Sequence, residues 1–234
     1  MTRFIACSLF TLSLLVGQLP STHGAVIPLF STGTDSSGNL LPGGSADPHY
    51  TVTGPGVPAG GPAAVYSPSS LWFQWVPNDP HSGWIGFQDS FSSSPHGDYT
   101  YAQTFDLTGY DPSTASISGL WAADQFGSID LNGSATGVSV PDGNWNAGSF
   151  PNLNPFTIAS GFHGGINTLA FIVTEPDDGD GLRVSSLSLR ANPVPEPSAA
   201  ALFVIGCVIC LAVATVGKCF DSPTCEVTGA PGCR

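Results

Sequence analysis

Three groups of residues have types and spacings that could do chemistry. The run Glu175-Pro176-Asp177-Asp178-Gly179-Asp180-Gly181 packs four acids into six residues. Calcium takes six to eight oxygen ligands from carboxylates and carbonyls, so Asp177, Asp178 and Asp180 are candidate ligands of a structural calcium ion. The competing reading is a solvated hairpin tip, since the run lacks EF-hand spacing and its closing glutamate. A second group is Asp142-Gly143-Asn144-Trp145-Asn146, a polar stretch with one large aromatic residue. Sugar sites pair an aromatic platform with polar side chains, which makes Trp145, Asn144 and Asp142 candidate glycan contacts. The alternative is that Trp145 folds back onto the domain edge. The third group is His49, His81, His96 and His163, which are scattered, and none stands in an HExxH frame. Ser90 to Ser94 lacks the strand-elbow-helix setting of a Gly-x-Ser-x-Gly nucleophile. Turn chemistry explains His96-Gly97-Asp98 as well as catalysis does. The chain is read as a non-enzyme, with a small secreted hydrolase as the second alternative.

The elements that position these groups lie between two apolar segments. Met1-Thr2-Arg3 is a short positive start, Phe4 to Val16 is apolar, and Thr22-His23-Gly24 places small residues at −3 and −1 of a cleavage. Residues 1–24 therefore read as a signal peptide, too short in its apolar part for a bilayer core that needs about 20 residues. Ala199 to Gly217 carries no charge and reaches spanning length, and Lys218 behind it favours a cytoplasmic end. Residues 25–192 form one domain of a size that supports its own core. That stretch has fourteen acidic residues against Arg183 and Arg190, a net of −12. Nucleic acid is excluded as a partner, because phosphate binding draws on clustered Lys and Arg. None of the six cysteines falls there, so the exported domain folds without disulfides; Cys219, Cys225 and Cys233 sit in a short tail, residues 218–234, read as reduced and cytoplasmic.

Within the domain, turn residues recur every several positions and no helix of ten residues is predicted. Asp98–Leu107 alternates, with Tyr99, Tyr101, Gln103 and Phe105 on one face. Further strands are predicted over Ala115–Ala122, Ser128–Leu131 (closed by the turn Asn132-Gly133), Asn167–Glu175 and Leu182–Leu189. The last shifts face near Leu187, which predicts a bulge. Shorter strands are predicted at His49–Thr53, Ala63–Tyr66, Leu71–Val76 and Trp84–Phe87. Leu29–Pro48 and Gly54–Pro62 read as loops, and Trp72, Trp75 and Trp121 as core. The fold class is all-β: two packed antiparallel sheets, a β-sandwich of the jelly-roll kind, plus a single C-terminal transmembrane helix.

Val194-Pro195-Glu196-Pro197-Ser198 stands immediately before the second apolar run. Pro195 and Pro197 hold the chain extended and remove backbone donors, so neither helix nor strand continues through them. This order resembles the PEP-CTERM proteins of Gram-negative bacteria: signal peptide, variable exported domain, Pro-Glu-Pro, spanning helix and basic end. The resemblance implies that residues 193–198 are a sorting motif, with Pro195, Glu196 and Pro197 read by an exosortase-like processing enzyme. It implies inner-membrane anchoring through 199–217, then delivery to the cell surface or extracellular polymer. Members of that family usually end soon after an Arg-rich cluster, whereas this chain continues from Lys218 to Arg234.

A second resemblance lies inside the domain. Gly97-Asp98-Tyr99-Thr100-Tyr101, Thr104-Phe105-Asp106-Leu107, Ala122-Ala123-Asp124-Gln125-Phe126, Ile129 to Gly133, Phe156-Thr157-Ile158 and Gly165-Ile166-Asn167-Thr168-Leu169 look like galactose-binding-like jelly rolls. Many of those bind carbohydrate and many are spacers. The expected function is an exported structural or interaction protein of the surface or matrix. The alternative is a carbohydrate-binding module with an extracellular polysaccharide as partner, showing an exposed Trp145 or Tyr110 beside Asp and Asn groups. Structural calcium is the one candidate cofactor.

Overall fold

A computed structural model describes residues 25–90, 94–140, 150–176 and 179–195, with Pro58 described by its backbone alone. The segments expected as signal peptide, spanning helix and Cys tail lie outside the described residues. Among the described residues, no helix is long and apolar enough to cross a membrane.

The architecture is all-β and antiparallel. Eleven strands are described: β1 (Ala25–Ile27), β2 (Ala46–Gly54), β3 (Val57–Val65), β4 (Ile85–Gly86), β5 (Gly97–Asp106) and β6 (Tyr110–Ala123). They continue with β7 (Phe126–Leu131), β8 (Ser134–Val140), β9 (Asn154–Ile158), β10 (Ile166–Glu175) and β11 (Leu182–Pro193). The only helical piece among them is a three-residue 3₁₀ turn, Pro68–Ser70. Hydrogen bonding links the strands in the order β8-β7-β10-β5-β2-β3-β4-β11-β6-β9, with β1 also on β11. The sheet doubles over on itself: Phe171 of β10 lies 5.7 Å from Trp121 of β6 and 6.0 Å from Phe156 of β9, centroid to centroid. Strands far apart in the sheet order thus pack face to face, and the result is a sandwich.

Alternation drives this arrangement. Tyr99, Tyr101, Gln103 and Phe105 are all buried along β5, and Leu169, Phe171 and Val173 along β10 are fully buried. The two strands pair Phe171 with Tyr101 and Val173 with Tyr99, so aromatic and β-branched side chains stack across the ladder. Each such burial contributes about 1.5–3 kcal/mol against solvent exposure. Tyr50, Val52, Ile117, Val184 and Leu189 complete the main core. A second cluster, Tyr66, Trp75, Trp84, Ala122 and Phe150, fills one end.

The predicted bulge is present. The β6–β11 register shifts between Ser185 and Ser188, and Ser186 takes a left-handed φ of 54°. The Asn132-Gly133 turn also forms, with φ of 55° and 73°, joining Leu131 to Ser134.

Two expectations are corrected. Gly54–Pro62 is not a loop: Gly54-Pro55-Gly56-Val57 is a tight turn with Gly56 at φ 81°, and β3 follows, pairing Pro62 with Thr51 and Gly61 with Val52. Register irregularities let a Pro/Gly-rich strand pair where few donors are needed. Leu71–Val76 is not a strand. Trp75 N–H donates to Trp72 C=O at 3.0 Å, turning the chain so that Trp75 enters the second cluster. The apolar run serves an end cap of the sandwich, and its composition alone reads the same as a buried strand.

Candidate functional site

Several sequence-predicted site residues lie outside the described residues: Asp142, Asn144 and Trp145; Asp177 and Asp178; Glu196 and Pro197. Pro195 is described and exposed, two positions past the end of β11. Tyr110 is half-buried and packs against the main core.

Asp180 is fully buried, away from any solvated tip. One carboxylate oxygen accepts from Ser94 Oγ at 2.8 Å. The other accepts from Phe87 N–H at 2.9 Å and from the Tyr101 hydroxyl. Tyr66 Oη donates to the Asp180 carbonyl at 2.6 Å. The Asp180 carboxylate is thereby committed to protein donors and ties β4, β5 and the β10–β11 connection together. Burial raises its pKa, and the Tyr101 and Ser94 hydroxyls pull partly the other way. The Tyr66 and Tyr101 phenols are held far above their usual value by burial and by the Asp180 charge. Tyr99 is pushed up to about 12 by the same two causes. Among the described residues no group of three His, Cys, Asp or Glu is placed to hold a metal ion.

His49, His81 and His163 make local contacts. His49 stacks on Phe30 with ring centroids 3.6 Å apart and 3° between planes. His81 Nδ1 lies 3.0 Å from the Gly38 carbonyl, and His163 N–H donates to Asn167 Oδ1 at 3.1 Å. Asp98, read beside His96, accepts from Thr174 Oγ1 at 2.6 Å. These contacts are those of turns and strand ends.

A surface feature that the sequence reading missed lies in the 67–76 connection. Trp75 is in the core as expected, stacked on Trp84 at 4.2 Å and edge-on to Tyr66 at 5.3 Å. Its Nε1–H donates to Asp124 Oδ1 at 3.3 Å. Trp72, also expected in the core, is only half-buried, and Phe73 beside it is 80% exposed. Their rings are 5.0 Å apart at 45°. Trp72 Nε1–H donates to Gln74 Oε1 at 3.2 Å, so an amide sits at the edge of the aromatic pair. The only cue in the sequence is an extra aromatic residue in Leu71-Trp72-Phe73-Gln74-Trp75; periodicity cannot tell which of three aromatics faces out.

No family model matches the chain, and no curated protein matches it. Among solved structures it is similar to a family 35 carbohydrate binding module from Clostridium thermocellum, at 10% identity over 60% of this chain and 90% of that one, TM-score 0.36. A CBM35 from Paenibacillus barcinonensis matches at 17% identity over 60% and 95%, TM-score 0.34. A Stig cyclase from Fischerella sp. TAU matches at 14% identity over 74% and 100%, TM-score 0.45.

Proposed function

We propose that this chain is an exported, non-enzymatic surface or matrix protein, with a galactose-binding-like jelly roll at 25–192 delivered through a PEP-CTERM sorting tail. The observation that carries the reading is the order Val194-Pro195-Glu196-Pro197-Ser198 followed by the uncharged run Ala199–Gly217. Strand β11 ends at Pro193, and Val194 and Pro195 are exposed, as a peptide offered to a processing enzyme must be. In this reading the signal peptide directs export, the apolar run halts in the inner membrane, and an exosortase-like enzyme acts at the Pro-Glu-Pro peptide. The test is intact mass and C-terminal sequencing of native protein from membrane and released fractions. Loss of everything after roughly Pro197 is expected. Joint substitution Pro195→Ala, Glu196→Ala and Pro197→Ala is expected to trap full-length protein in the membrane; unchanged release of that variant overturns the reading.

A second reading, a carbohydrate-binding module on the same sandwich, is favoured by one observation: an exposed aromatic side chain with a half-buried aromatic neighbour and an amide at its edge.

A further inference from the structure

We draw no further inference here: the strongest candidate, the groove of about 670 Å³ that the β2 bulge opens beside β3, lined by Pro48, His49, Thr51, Thr53, Gly61 and Pro62, carries nothing, because nothing in the structure shows what covers it.

Discussion

Arg183 Nη2 lies 2.7 Å from Asp79 Oδ2, and this ion pair fastens β11 to the 76–82 connection. The guanidinium is buried, and it also donates through Nε to Ser82 Oγ at 3.1 Å and through Nη1 to the carbonyls of Pro77 and Val76. Burial lowers its pKa, and the Asp79 carboxylate works against that. The planar fork of arginine serves two carbonyls, a hydroxyl and a carboxylate at once, which a lysine ammonium cannot reproduce.

Replacement of Arg183 follows directly. Arg183→Met strands the Pro77 carbonyl and leaves the Asp79 carboxylate without its cation, and is expected to cost roughly 3 kcal/mol. Arg183→Lys should recover less than half of that. Urea unfolding monitored by tryptophan fluorescence measures both, since Trp75 and Trp84 adjoin the loop. A loss below about 1 kcal/mol for Arg183→Met would show that the loop is held without it.

Much of the sandwich was legible because its strands alternate. Tyr99 to Phe105 and Leu169 to Val173 announce their buried faces by type and spacing alone, and Asn132-Gly133 announces a turn needing two positive φ angles. The face shift at Leu187 was legible as the bulge centred on Ser186. What was hidden depends on tertiary partners. Pro62 sits in a strand because Thr51 lies opposite it in the ladder, and no local signal reports that neighbour. Asp180 looks like one more loop acid until Tyr101, Ser94 and Phe87 N–H, about 80 to 90 residues away in sequence, converge on it. Phe73 was passed over for the same reason: Trp75 is claimed by Trp84 and Tyr66, and the turn this imposes leaves Phe73 outside.

The β7–β8 turn should be sensitive to substitution at the half-buried Asn132. Asn132 Nδ2 donates to the Gly161 carbonyl at 2.9 Å and to Asn167 Oδ1 at 2.8 Å, while its Oδ1 accepts from Thr168 N–H at 2.9 Å. Asn167 is fully buried and closes the next loop through the His163 and Gly165 carbonyls. Asn132→Ala loses this network and places an alanine in the left-handed region, which costs about 1–2 kcal/mol by itself. Asn132→Gly relieves the backbone and loses only the side-chain bonds. Alanine is therefore expected to lower the melting temperature more than glycine; equal losses in the two variants would mean that the hydrogen bonds, and not the φ of 55°, dominate at Asn132.

The dependence of stability on pH should slope in an unusual direction for a carboxylate-rich domain. Asp47 and Asp180 are both raised, first of all by burial. A carboxyl whose folded pKa exceeds the unfolded value of about 3.9 binds its proton more tightly when folded, so its contribution falls as pH rises through the raised value. Asp35, lowered by the Asn39 N–H, and Asp106 and Asp111, lowered by Thr108 and Ser113, act oppositely: their contribution is present above about 3.9 and lost below it. Stability is therefore expected to increase as pH falls through the raised values of Asp47 and Asp180 toward about 4, and to decrease below that. Relief of the net charge of −12 slopes the same way, so the wild-type curve alone does not identify the groups. Asp180→Asn removes one titrating group while keeping an acceptor for Phe87 N–H, and its unfolding free energy should vary less with pH across that window. Urea denaturation at half-unit pH steps for both proteins measures this, and parallel curves would show that charge repulsion, and not the Asp180 network, sets the slope.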